Sequence, residues 1–257
     1  MTIESQSNRT NPPKLSIIIP VLQLNRPVNK KRFFMPRQTM AETFDNLKSV
    51  IQVPYEVIII CNGQDPALID YVQKHPVVTQ YCLNSVNVGV ARAWNMGAQL
   101  AQGEFLCFLN DDVRLEVGAI ESLLDQLECD PTIGEIGPHG SFWKDCKCTG
   151  TIEPNILCDV DVVSGFCFLV RANLMHQLGG FDIAYTPAGY EETDFSYRIR
   201  QAGYRCVADS RVQIKHFYHH GVSSQKMDIH YLNQTIDTES LDQKNKTYFT
   251  QKWLGVF

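Results

Sequence analysis

The sequence predicts an α/β fold, with a mainly parallel central sheet covered by helices on both faces, from three observations. The runs Leu15-Ser-Ile-Ile-Ile-Pro20 and Glu56-Val-Ile-Ile-Ile-Cys61 are too continuously apolar for strands with one wet face. Segments with apolar residues at helical spacing lie between such runs. The two kinds then alternate as far as residue 137, an order that places crossover helices over a shared sheet.

Taken in order, the first thirteen residues are polar and end in Pro12-Pro13, which predicts a disordered N-terminus over 1–13. After the first strand comes a polar loop of about twenty residues, long enough to be functional. A helix over Met40–Ile51 places Phe44, Leu47 and Ile51 on one face. The second strand ends in the turn Asn62-Gly63. A helix near Pro66–Lys74, a strand over Thr79–Asn84 and a helix over Val88–Gln102, closed by Gly103, follow. A strand over Glu104–Leu109, a helix over Val117–Glu128 and a strand over Ile133–Gly137 complete the alternating half.

Beyond it the pattern changes. A loop from Pro138 to Asp159 leads to an apolar stretch, Val160–Arg171, and a short helix stopped by Gly179-Gly180. A helix over Tyr190–Ala202 follows a loop rich in Tyr, Pro and Gly, and carries Phe195, Ile199 and Ala202 at helical spacing. A strand over Tyr204–Ala208 precedes a His-rich segment, Lys215-His-Phe-Tyr-His-His-Gly221. The last thirty or so residues carry no assignable element, and no internal repeat is present.

Composition narrows the function classes. A chain of 257 residues with 44% hydrophobic and 20% charged content can bury one large core. The formal charge of -5 argues against a nucleic-acid binder, which needs a basic stripe. The one basic cluster, Asn29-Lys-Lys-Arg32, is short, and reads as a solvated loop before it reads as a phosphate or membrane-surface patch. Among nine cysteines, Cys61, Cys82, Cys107, Cys167 and Cys206 lie in apolar strand-like runs, where a thiol acts as a small hydrophobe. With no apolar leader at the N-terminus, a reducing, cytoplasmic compartment is expected. No run approaches the ~20 apolar residues of a membrane span, so the expected membrane contact is peripheral, at its inner face. Cys146-Lys-Cys148, with Cys158 and His139, falls short of the usual spacing of zinc ligands.

In parallel sheets ligands bind beyond the carboxyl ends of the strands. Asn62-Gly63, Asn84 to Gly89 and Asn110-Asp111-Asp112 all fall at such ends, and should meet along one edge. Acids after a buried strand suit a hard divalent cation that keeps waters and substrate phosphates in its shell. Asn110 and Asp112 alternate along an extended chain and face one side; the competing reading is a cap for the helix that follows. Glu191-Glu192-Thr-Asp194 sets three acids in the first turn of a helix, with Asp194 able to pair with Arg198. Complementing the helix dipole is one reading, and a cation or a proton transfer is the other. His216, with His219 and His220 behind it, is a candidate ligand or diphosphate contact.

The succession LSIIIP, EVIIICNG, NVGVARAWNMG, FLCFLNDDV, VSGFCFLVR, LGGFD and YEETDFSYRIRQAGY, with a histidine after it, resembles the family 2 glycosyltransferases. It is most similar to their bacterial rhamnosyltransferase-like members, which build surface polysaccharides. The resemblance spans roughly residues 14 to 221. It implies the GT-A (Rossmann-like) αβα sandwich as a single domain over 14–225, with a nucleotide-binding half (14–115), an acceptor half (116–225) and a C-terminal extension (226–257).

The resemblance also implies roles. Asp112, Asn110 and His216 would hold Mn2+ or Mg2+ against the diphosphate of a UDP-, dTDP- or GDP-sugar. Glu192 would be the general base, flanked by Glu191 and Asp194. Pro20, Val21, Cys61, Asn62 and Gly63 would meet the base and ribose, with Asp111 beside the ribose. Asn87, Gly89 and Arg92 would floor the sugar nucleotide, and Gly165 would line the donor sugar. The loop Ala184–Tyr190 would shape the site of a glycan or lipid-linked glycan acceptor, and a homo-oligomer is compatible with it. Two positions depart from the family pattern: Cys61 stands where an Asp commonly reads the base, and Asn110 replaces the first acid of DxD. A sugar-1-phosphate nucleotidyltransferase would need a Gly-rich loop after the first strand, where Val21-Leu-Gln-Leu-Asn-Arg-Pro27 has no glycine. A nucleotide-sugar-binding module without catalysis is the remaining alternative.

Overall fold

The computed structural model describes residues 2–5, 12–25, 30–218 and 226–256. His219, His220 and Asn29 lie outside the described residues.

The alternating half forms as its periodicity predicts. The elements are β1 (Thr2–Ser5), β2 (Leu15–Val21), α1 (Met40–Val50), β3 (Tyr55–Asn62), α2 (Pro66–Lys74), β4 (Gln80–Asn84), α3 (Val90–Leu100), β5 (Phe105–Leu109), β6 (Val113–Leu115), α4 (Ala119–Cys129) and β7 (Ile133–Gly137). Local chemistry sets several ends. Thr39 and Glu42 close α1 with a reciprocal capping box, and Asp65 caps α2 with Pro66 at its first position. Gly97 lets α3 settle on the sheet, since a Cβ there would lie 2.2 Å from Ile18 Cγ2.

The central sheet has nine strands in the order β1-β4-β3-β2-β5-β12-β7-β13-β10. Here β8 is Gly140–Lys144, β9 Lys147–Thr151, β10 Leu157–Val160, β11 Val162–Val163, β12 Cys167–Arg171 and β13 Arg205–Asp209. Strands β2, β3, β4, β5, β7 and β13 run one way, and β1, β10 and β12 run against them. Alternate strand residues feed two cores. Ile17, Ile19, Val57 and Ile59 pack with Phe44, Leu68 and Leu123 of α1, α2 and α4. Ile18, Ile58 and Ile60 pack on the other face with Trp94 of α3, Leu174 of α5 (Ala172–Gln177) and Phe195 of α6 (Glu191–Gln201). Both faces being covered, the strands have no wet side, which is why they read as continuous apolar runs.

Three expectations are corrected. Thr2–Ser5 pair with β4 as an edge strand, so this part of the N-terminus is ordered by main-chain pairing that polar side chains do not announce. The loop predicted over Pro138–Asp159 contains β8, β9 and the start of β10; β8 and β9 form a hairpin with β11, and β9 is exposed along its length. The stretch Val160–Arg171 is broken at Ser164–Phe166 between β11 and β12.

The C-terminal region also acquires structure. Strands β14 (Ile214–His216), β15 (Asp228–Tyr231) and β16 (Gln234–Asp237) lead to helix α7 (Thr238–Trp253), whose Phe249 and Trp253 pack with Tyr185, Tyr197 and Cys146. Cys146 is buried there while Cys148 is exposed, and among the described residues no three His, Cys, Asp or Glu gather as a metal site.

Candidate active site

The carboxyl ends of β2, β3, β4 and β5 lie on one edge, and the residues following β5 meet a distant histidine there. The Asn110 N–H donates to Phe166 O (2.9 Å), and the Phe217 N–H donates to Asp112 O (2.9 Å). β14 pairs antiparallel with β6, with His216 opposite Val113. These backbone ties set His216 Nε2 3.1 Å from Asp112 Oδ1 and 3.4 Å from Asn110 Nδ2. The imidazole is fixed by stacking on Phe166, with ring centroids 4.7 Å apart and planes at 15°.

Asp111 departs from the other two. Its carbonyl accepts from Thr43 Oγ1 (3.0 Å), and it lines a narrow cleft with Leu24, Arg37, Met40, Asp112 and Phe217.

The donor set decides what this cluster can hold. A carboxylate oxygen, an imidazole nitrogen and an amide suit Mn2+ or Mg2+, and so few protein ligands leave positions for phosphate oxygens and water. The residues present therefore fit a cation that arrives with an anionic substrate.

The acids of α6 form the second group. Gly189 (φ 92°) and Tyr190 (φ 75°) turn the chain into the helix, with Tyr190 at the N-cap in the left-handed region. Glu191 is buried, and its Oε2 has no hydrogen-bond partner among the described residues. Burial, and then the adjacent Glu192, hold the Glu191 carboxyl well above the usual carboxylate range; burial raises Glu192 as well. Gly165 lies against Glu192: a Cβ at 165 would stand 3.0 Å from its Cγ. Gly165-Phe166 therefore touches both groups, the glycine against Glu192 and the phenylalanine against His216.

Asp194 is corrected as a catalytic candidate. It is fully buried and its carboxylate accepts from Tyr185 Oη (3.1 Å), Arg198 Nε (2.9 Å) and Trp253 Nε1 (2.7 Å), with Lys252 Nζ at 2.8 Å. With its carboxylate engaged by these four partners, it anchors α7 to α6.

The third group is the candidate nucleotide wall. Asn62 Nδ2 donates to Asn87 Oδ1 (3.0 Å), Asn62 Oδ1 accepts from Val88 N (2.8 Å), and Asn87 Oδ1 accepts from Gly89 N (2.9 Å). Gly89 needs to be glycine, since φ is 85° and a Cβ would lie 2.8 Å from Pro187 O. Pro187 O in turn accepts from Val90 N (2.8 Å), joining this wall to the loop before α6. Arg92 is half-buried beside it, its Nε without a hydrogen-bond partner among the described residues. Gly63 and Pro20 are half-buried at the same edge.

Cys61 and Val21 are corrected as side-chain contacts. Both point into the core beneath α1 and α2, and burial pushes the Cys61 thiol up to about 12. Only their main chains reach the edge, because side chains alternate along a strand.

Sequence reasoning missed Asn245. Its Nδ2 lies 3.0, 2.9 and 2.8 Å from the carbonyl oxygens of Tyr185, Ala188 and Gly189, and so clamps the loop that precedes the acids. Leu241, Asn245, Phe249 and Trp253 recur every four residues behind the cap Asp237, a helix signal present in the sequence.

Comparison with known proteins agrees with this architecture. Residues 16–147 match the model of the family described as Glycosyl transferase family 2. No curated protein is similar enough to count as a relative. Among solved structures, GalNAc-T7 with UDP, GalNAc and Mn2+ is similar with a TM-score of 0.63 and 17% identity, over 81% of this chain and 44% of that one. The mannosyltransferase PcManGT from Pyrobaculum calidifontis, in complex with GDP-Man and Mn2+, has a TM-score of 0.56 and 18% identity, over 77% of this chain and 55% of that one. The chain thus spans about half the length of each, and the likeness is one of fold.

Proposed function

Because the chain belongs to glycosyl transferase family 2, we propose that it moves one hexosyl or deoxyhexosyl unit from a nucleoside-diphosphate sugar to a hydroxyl of a glycan or lipid-linked glycan. The reaction is a single in-line displacement with inversion at the anomeric carbon, and serves the synthesis of a surface polysaccharide. The observation that carries this reading is the Gly165-Phe166 dipeptide, which supports the Glu192 carboxylate on one side and the Asp112–His216 cluster on the other.

Each group has a task that its surroundings suit. Asn62, Asn87 and Gly89 form a stiff, hydrogen-bonded wall for the nucleotide. Asp112, His216 and Asn110 would hold Mn2+ or Mg2+, which when bound offsets charge on the departing diphosphate. Glu192 takes the proton from the acceptor hydroxyl, and its raised pKa makes it a stronger base than an exposed carboxylate. Glu191 lies next to it with one oxygen unpartnered among the described residues. Asp194 holds the helix that carries both.

The test is turnover by the purified chain, with Mn2+, acceptor glycans and UDP-, dTDP- and GDP-sugars in turn. Release of a nucleoside diphosphate is expected with one donor class. Glu192→Gln should lower transfer by at least ~10²-fold while donor binding is kept. No release from any donor would favour a binding module, and full activity in Glu192→Gln would remove the base assignment.

A further inference from the structure

Two aromatic rings stand in solvent between β2 and α1. Phe33 is 74% exposed and Phe34 71%, the highest values among the exposed large apolar side chains described. Their rings meet edge to face with centroids 5.8 Å apart, so the two form one apolar knob. Single exposed apolar residues are ordinary on protein surfaces; a contiguous aromatic pair of this exposure is not.

Along the sequence, the charge flanking the knob is of one sign. The stretch Lys30-Lys-Arg-Phe-Phe-Met-Pro-Arg37 carries four cations and no acid, within a chain of net charge -5. Lys30, Lys31 and Arg37 are exposed. Described chain on either side of the segment is tied to the fold. The Leu24 N–H donates to Asp65 Oδ2 (2.9 Å) before it, and the Thr39–Glu42 capping box closes α1 after it.

We propose that this loop is a docking element for an anionic lipid surface. Aromatic rings enter the boundary between headgroups and acyl chains, and flanking lysines and arginines stay at the phosphates, so the two features answer two layers of one partner. Arg37 and Met40, beyond the knob, line the cleft that also contains Asp111 and Asp112. Docking through Phe33 and Phe34 thus holds the mouth of that cleft near the membrane, where a lipid-linked acceptor is met. Docking itself requires no part of the transfer reaction, and it assigns a partner to the short basic run that the sequence alone reads as a solvated loop.

The experiment is co-sedimentation of the full chain with phosphatidylcholine vesicles and with mixed phosphatidylcholine–phosphatidylglycerol vesicles, at low and high salt, without donor or metal. Binding to the mixed vesicles, weakened by salt, is expected. Phe33→Ser/Phe34→Ser and Lys30→Gln/Lys31→Gln should each lower the partition about tenfold or more with unchanged melting temperature, since these positions are solvent-facing. No preference for anionic vesicles, or undiminished binding of the Phe33→Ser/Phe34→Ser variant, overturns the proposal. So does a wild type that self-associates by light scattering and becomes monomeric in that variant without vesicle binding in either. Nucleotide-sugar turnover, measured in parallel without vesicles, fails or succeeds independently of these outcomes.

Discussion

Gly165 and Glu192 are in contact: a Cβ on the glycine would lie 3.0 Å from Glu192 Cγ and 3.2 Å from its Cδ. The proposed base is therefore backed by bare main chain, and any side chain at 165 must displace it. Gly165→Ala should lower the turnover number with melting temperature little changed, because the Glu192 side chain must give way to the new Cβ and a reacting group held off its productive position loses rate. Equal turnover in the variant would show that the carboxylate acts from another position.

The pH profile of the same site follows from the burial of Glu192. A general base works deprotonated, so the rate should rise with pH through its pKa. That rise should lie above the usual carboxylate range, since burial raises this group. A limb at the ordinary value for an exposed glutamate would mean that another group limits the rate.

Asp112 and His216 act as a pair at 3.1 Å. Asp112→Asn and His216→Ala should each weaken nucleoside-diphosphate binding at least ~tenfold in the presence of Mn2+ and leave metal-free binding unchanged, as titration calorimetry would read. A loss of the same size without metal would mean that these side chains contact the nucleotide directly.

Asn245 faces three carbonyl oxygens of the loop 185–189. Asn245→Ala leaves those carbonyls, one buried and two part-buried, short of a donor, at a cost of ~1–3 kcal/mol in denaturant unfolding. Because that loop leads into Glu191 and, through Pro187 O, onto the helix that starts at Val90, transfer should fall by more than the unfolded fraction explains. A stable and fully active variant would leave the clamp without a role.

Glu135 lies in β7, fully buried, donated to by Ser196 Oγ (2.7 Å) and pushed up to about 8 by burial. The native state then keeps a proton that the unfolded chain has released, so stability falls as pH rises from about 4.5, the ordinary value, to about 8. The slope is about 1.4 kcal/mol per pH unit from this group. Glu135→Gln keeps the shape and should flatten the dependence, making the variant the more stable at the upper end of that window in urea titrations. An unchanged slope would mean that the carboxyl titrates as it does in water.

Much of the fold was legible because its causes are local. Strands β2, β3 and β5 are buried on both faces and show it in uninterrupted apolar runs; α1 and α2 announce their starts with Thr39, Glu42, Asp65 and Pro66. Strands β8 to β10 were not legible, since an exposed strand such as Lys147–Thr151 carries no apolar pattern. The candidate site divides the same way. Asn110 and Asp112 stand out by type and place and Glu192 through the family resemblance, yet the same resemblance also put Cys61 at the base and Asp194 beside Glu192.

The chain's own chemistry determined the alternation of strands and helices, the acids at the end of β5 and the acids opening α6, because propensity, burial and capping act within a few residues. Tertiary structure decided which of those groups face outward. It turned Cys61 into the core, brought Tyr185, Lys252 and Trp253 to Asp194, and brought His216 to Asp112 through the pairing of β6 with β14. The physical reason is one of range. A hydrogen bond or an ion pair between residues on different elements depends on how layers pack, and no local pattern records it.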